Sequence, residues 1–188
     1  MSTATEAVAS TKVVTGLARF SYLHVWEPSA INEDQEKKYS VSLIIPKSDK
    51  KTLAKIKAAI DAAKEQGKAK LGGKIPANLK SPLRDGDIER PEDEAYANAY
   101  YINANAKVKP GLVDRYKEPI TKQEELYSGC YGHASITFYA FNTSGNKGIA
   151  CALNHLMKVK DGDPLGGRSS AEADFAEIEE VEDVDDLL

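Results

Sequence analysis

The sequence predicts a mainly β fold, a small closed or partly open barrel with one α-helix inserted among its strands. Three observations predict it. Runs rich in β-branched and aromatic residues recur at 12–26, 39–46, 96–108 and 135–159, separated by polar segments bearing Gly and Pro, the pattern of strands and turns. A single strong helical period occupies the chain after Pro46. The 188 residues are 41% hydrophobic, enough for one core and therefore one domain.

Residues 1–11, "MSTATEAVAST", are small and polar and read as a disordered lead-in without the basic and apolar regions of a secretory signal. "KVVTGLARFSYLHVW" (12–26) reads as one long strand, and "YSVSLIIP" (39–46) as a second, stopped by Pro46. In "KSDKKTLAKIKAAIDAAKEQG", Ser48 or Asp49 serves as cap. Leu53, Ile56, Ala59, Ile60 and Ala63 share a face, and Gly67 ends the helix. Residues 68–95 read as a long loop. "YANAYYINANAKV" (96–108) alternates as a strand, and "LVDRYKEPI" is a candidate short one. Residues 135–159 read as a hairpin around Thr143-Ser144-Gly145-Asn146, with Gly145 and Asn146 tolerating positive φ. The ordered domain spans 12–165, and 166–188 form a flexible acidic tail.

Charge divides the chain. It holds 25 basic and 29 acidic side chains, but residues 171–188 hold nine of the acids and no base. The first 170 residues therefore hold 25 bases and 20 acids, a basic body with an acidic end. Such asymmetry points to a polyanion partner for the body or an interaction role for the tail. No apolar run approaches the roughly 20 residues needed to cross a bilayer as a helix. Two Cys without a leader point to reduced thiols in a cytoplasm.

Alternate strand residues point to opposite faces. Pairing Phe138 with Leu153 gathers Ile136, Phe138, Ala140, Ile149, Cys151 and Leu153 as core and leaves Tyr139 and Phe141 outside. Tyr101, Asn103, Asn105 and Lys107 likewise share a face opposite Tyr100, Ile102 and Ala104. Exposed rings among Lys, Arg and Asn suit unpaired nucleic acid, because bases stack on rings and cations follow phosphates. The candidates are Arg19, Tyr22, Trp26, Lys38, Lys47, Tyr101, Asn103, Lys107, Lys109, Arg115, Lys117, Tyr139, Phe141 and Lys147. The competing reading has Tyr139 and Phe141 covering the inserted helix, Trp26 buried at a strand end and each Lys simply solvated.

Other chemistries do not assemble. Cys130-x2-His133 and Cys151-x3-His155 have zinc-like spacing, but zinc needs four converging ligands, and the hairpin holds the two cysteines about 30 Å apart at roughly 3.3 Å per residue. "RDGDIERPEDE" (84–94) gathers six acids in what reads as one exposed loop, without the converging set a metal-dependent nuclease requires. No phosphate-cradling Gly-rich motif or EF-hand spacing occurs. Neither catalysis nor a cofactor is expected.

Taken together, "RFSYLHVWEP", "YSVSLIIPKSDKKTLAKIKAAIDAA" and "YSGCYGHASITFYAFNTSGNKGIACALNHLMKVKDGDPLGG" resemble a family of tailed-phage single-stranded-DNA-binding proteins, over about residues 12–175. The resemblance implies an OB-type five-stranded barrel with a helix inserted after the second strand. It also implies sequence-independent binding of single strands in phage replication, recombination and repair, in the host cytoplasm. Acidic C-terminal tails are common in such proteins. Many end on an aromatic residue, whereas this one ends on Leu187-Leu188. The expected partners are single-stranded DNA, a polymerase or helicase held by Glu179, Glu180, Glu182, Asp183, Asp185, Asp186, Leu187 and Leu188, and a second copy of the chain. The alternative is a non-catalytic structural or scaffold protein of the virion or replication complex, with the tail as docking peptide.

Overall fold

A computed structural model of the chain describes residues 10–30, 32–165, 175, 176 and 178. The strands are β1 (Lys12–Val14), β2 (Ala18–Ser29), β3 (Lys38–Pro46), β4 (Leu83–Asp85), β5 (Ala99–Ala106), β6 (Gly111–Val113), β7 (Tyr131–Thr143) and β8 (Asn146–Lys160). The helices are α1 (Lys50–Gln66) and the single turn α2 (Gly86–Glu89).

Five strands close a ring. β7 pairs with β2, β2 with β3 and β3 with β5, all antiparallel. β5 meets β8 in parallel at Asn105 and Ala152, and β8 returns antiparallel to β7. This order, with one parallel contact closing the circle, is the OB topology, and α1 follows its second strand. β1, β4 and β6 are short additions on β7, β5 and β8.

Inward residues of every ring strand fill one core: Phe20, Val25, Leu43, Ile45, Ile102, Ile136, Phe138, Cys151 and Leu153 among others. Helix α1 contributes its whole apolar stripe, Leu53, Ile56, Ala59, Ile60 and Ala63, to that core. Asp49 caps it by accepting from the Thr52 N–H at 3.2 Å, and the Gly67 N–H closes it on Ala63 O at 2.9 Å.

Three expectations change. Residues 12–26 are two strands, not one. The chain bends at Thr15-Gly16, where Thr15 exchanges bonds with Ala134 and the Gly16 N–H donates to Thr52 Oγ1 at 2.9 Å. Second, the hairpin pairs Phe138 with Cys151 and Ile136 with Leu153, a shift of two residues. The turn is the tight pair Ser144-Gly145 (φ 51° and 84°) between Thr143 and Asn146, so the positive φ falls one residue earlier than expected. A shift of two preserves side-chain parity, so the expected core face is the observed one. Third, 68–95 is not one loop. β4 pairs with β5, and α2 and a 3-10 turn at Glu94–Tyr96 follow. The expected tail, 166–188, lies outside the described residues except at 175, 176 and 178.

Candidate nucleic-acid interface

On the outer face of β3 and β5, Ser42 and Asn103 are paired neighbours, and next to them the pair Ile44 and Tyr101 packs with Tyr96 and Ala99 as a small second cluster. At the first register shift of β2, between Ser21 and His24, Tyr22 adopts φ 47° and is 51% exposed. A bulge of this kind re-aims one side chain out of the sheet. Left-handed backbone on a Tyr is costly, and such strain concentrates at functional sites.

Arg90, at the end of α2, reaches over this face. Its guanidinium lies 5.2, 5.0 and 5.3 Å from the ring centres of Tyr22, Tyr96 and Tyr101. Its Nη1 donates to Tyr22 Oη at 3.4 Å. Tyr96 and Tyr101 meet edge to face at 5.0 Å, and the Tyr96 hydroxyl donates to Ser42 Oγ at 3.0 Å. The caged cation thus fixes the one exposed ring, Tyr22, to two buried ones. A guanidinium held by three rings is a preorganised platform for a further flat π-system.

The other candidates fall into groups. Lys38 and Lys107 flank the end of the β3–β5 ladder, one step beyond the Tyr39–Ala106 pair. Lys107 is loosely paired with Glu36 at 3.7 Å, both exposed. Lys109 lies 5.2 Å over the ring of Trp26, whose Nε1 donates to Leu126 O at 3.0 Å. Trp26 is partly buried against the core. Lys38, Asn103 and Lys107 therefore lie along the β3–β5 ladder, and Trp26 and Lys109 form a pair of their own. Arg115 and Lys117 sit in the turn after β6 beside Tyr116, which is 69% exposed. Tyr139, Phe141 and Lys147 lie on the β7–β8 arm. Tyr139 is exposed, and Phe141 is half-buried across from Gly148. Neither covers α1, which takes the opposite face of β7 through Phe138 and Ala140.

Further candidates are held by protein, among them Lys147, whose Nζ donates to Leu71 O at 3.1 Å. Tyr101 is buried beneath Arg90 and is not presented to a ligand. Lys47 meets Asp85 at 2.9 Å and Asp87 at 2.8 Å, which hold its pKa well above the ordinary lysine value, Asp87 contributing most. Arg19 donates to Gly129 O and Asp163 O at 3.0 and 2.7 Å and fastens the chain after β8. Sequence reasoning missed Arg90 and Tyr96 because they stand in and beside an acid-rich stretch that reads as solvated loop.

Among the described residues no three His, Cys, Asp or Glu converge as a metal site. His133 Nδ1 bonds with Thr15 O at 2.9 Å, and His155 Nδ1 accepts the Gly111 N–H at 3.1 Å. Both cysteines are free and buried. Among the described residues no helix is long and apolar enough to cross a membrane.

A five-stranded OB ring that carries an exposed aromatic residue on its outer face belongs to a class of folds that commonly hold oligonucleotides. Comparison with known proteins gives the particular family. Residues 11–188 match the family model described as the single-stranded-DNA-binding protein of Enterobacter phage Enc34, and the chain belongs to that family. Protein p50 of Acyrthosiphon pisum secondary endosymbiont phage 1 is 30% identical over 183 residues, 94% of each chain. The structure of the bacteriophage Enc34 protein in complex with single-stranded DNA is similar at TM-score 0.75 and 25% identity, covering 83% of this chain and 90% of that one. Gp2.5 of bacteriophage T7 shares the fold, at TM-score 0.56 and 15% identity over 93% and 98% of the two chains.

Proposed function

We propose that this chain is a sequence-independent single-stranded-DNA-binding protein of a bacteriophage, without catalytic activity, acting in the host cytoplasm. The carrying observation is the Tyr22–Arg90 platform on the outer face of an OB ring, in a chain of the Enc34 family. A base stacks on Tyr22, and Lys38, Lys107 and Lys109 follow the phosphates. Stacking and charge are indifferent to base identity, so binding is general.

The tail completes the reading. Residues 171–188 carry the sign of DNA, so they compete for the cationic surface when no strand is bound. A strand displaces them, and the freed tail recruits polymerase, helicase or recombination factors through its acids and Leu187-Leu188. Both contacts weaken with salt. A gel shift with oligo-dT tests the first part: the protein retains the strand, and magnesium produces no cleavage products. A scaffold protein would leave the oligonucleotide free. Removing 171–188 tightens binding and ends recruitment; unchanged affinity would eliminate the competition.

A further inference from the structure

The positive charge of the body is concentrated in one place. Residues 47–84 hold eleven Lys and Arg against three acids, Asp49, Asp61 and Glu65. The rest of the first 170 residues hold fourteen against seventeen. The excess therefore belongs to α1 and the chain between it and β4. The neighbourhood of Tyr22 is different, because residues 85–94 place six acids and one base there. Two of the nearby cations, Lys47 and Arg84, are already paired with those acids.

Residues 68–80 fold onto the β7–β8 arm. Asn142 Nδ2 donates to Lys70 O at 3.1 Å, the Ile149 N–H to Lys80 O at 3.0 Å, and Lys147 Nζ to Leu71 O at 3.1 Å. At Lys70 and Lys80 the backbone does the holding. The side chains of Lys68, Lys70, Lys74 and Lys80 are on exposed residues, and among the described residues none pairs with a carboxylate. Beside Lys70 opens a cavity of about 460 Å³ bounded by Lys70, Tyr139, Phe141 and Asn142. Tyr139 stands at its edge, 42% exposed. β2 pairs with β7 only at Ala18–Gly132 and Arg19–Tyr131; Tyr22 lies three residues beyond that contact in one direction and Tyr139 eight residues beyond it in the other, about 30 Å or more of strand at roughly 3.3 Å per residue, so this surface is separate from the Tyr22 face.

We propose that the arm and the 68–80 segment form a second contact site for single-stranded DNA. Lys68, Lys70, Lys74 and Lys80 take phosphates, and Tyr139 takes a base. An exposed ring amid unpaired lysines fits a polynucleotide better than an acidic peptide, which has charge but no flat bases. This inference rests on the function proposed above. It adds that a long strand engages two surfaces of one molecule, while a short strand engages only the barrel face.

The test combines Lys70→Gln, Lys74→Gln and Lys80→Gln, with Tyr139→Ala separately, in the full chain and in the chain ending at residue 170. Affinity is measured by salt titration with oligo-dT of about 8 and about 30 nucleotides, the first within and the second well beyond the roughly 4–16 nucleotides of one OB site. The triple variant is expected to bind the short strand within twofold of wild type and the long strand about tenfold more weakly. Its salt slope on the long strand should fall by about 2, at roughly 0.7 per phosphate contact. Tyr139→Ala should weaken the long strand alone. Equal behaviour of variants and wild type at both lengths overturns the second site, as does an equal loss at both lengths. A loss confined to the chain that keeps 171–188 would assign the surface to the tail instead. Failure of wild type to hold either strand would sink the proposed function itself, a result distinct from the others.

Discussion

Tyr22 occupies a conformation that glycine adopts freely and tyrosine does not, at a cost of roughly 1–2 kcal/mol. Replacing it separates strain from binding. Tyr22→Gly and Tyr22→Ala both remove the ring, and oligo-dT affinity should fall about 5- to 100-fold in each, the range of one lost base stack. Glycine also releases the backbone, so Tyr22→Gly should unfold at about 1 kcal/mol higher stability than Tyr22→Ala in urea; equal stabilities would refute the strain. The thiols of Cys130 and Cys151 are both pushed up by burial in the core. Each is therefore protonated at neutral pH, and thiol reagents should label the native protein only at its rate of opening. Tyr22 was legible as one more aromatic in "RFSYLHVW", but its bulge was not, because the register shift arises from pairing with β3. Arg90 carried no signal at all. Its role depends on α2 folding back over Tyr22, which lies 68 residues away in sequence. Tyr101 stands on the face that alternation predicts, yet Tyr96 and Arg90 cover it.

At the scale of elements, helix α1 was the clearest reading, because capping, periodicity and termination are all local. Asp49 binds the Thr52 N–H and also accepts from Thr52 Oγ1 at 2.7 Å. Thr52 Oγ1 in turn accepts from the Gly16 N–H, so the cap joins α1 to the bend between β1 and β2. Asp49→Ala should cost about 1 kcal/mol as a lost cap, read as a lower urea midpoint with an unchanged slope; a loss confined to noise would mean the bend holds α1 unaided. The β7–β8 hairpin shows the opposite lesson. Its faces were legible from alternation, but its register depends on which two residues turn, and Ser144 at positive φ is not a residue that advertises this. The break of 12–26 was hidden for a similar reason, since Thr15 and Gly16 bend only because Ala134 and Thr52 receive them.

Across the whole molecule, paired charges set the response to acid. Lys47 and the Asn98 N–H hold the Asp87 carboxyl below the ordinary carboxylate range, and Lys158 does the same for Asp161 at 2.6 Å. The folded state thus binds these protons less tightly than the unfolded chain. The stabilisation is complete above the ordinary carboxylate pKa of about 4 and is lost as pH falls through the depressed values. Asp87→Asn should therefore be less stable than wild type at neutral pH, with the two thermal midpoints converging below about pH 4; a constant gap would reject the ion pair. The closed ring has one more consequence, for synthesis. β2 waits for β7 more than a hundred residues later, and β5, whose far side meets only the three residues of β4, waits for β8 to close the ring. A growing polypeptide on the ribosome must carry one unpaired and one partly paired sheet edge until most of its ordered residues have emerged, and such edges recruit neighbours. Messages truncated before codon 146 should yield inclusion bodies rather than a smaller folded product.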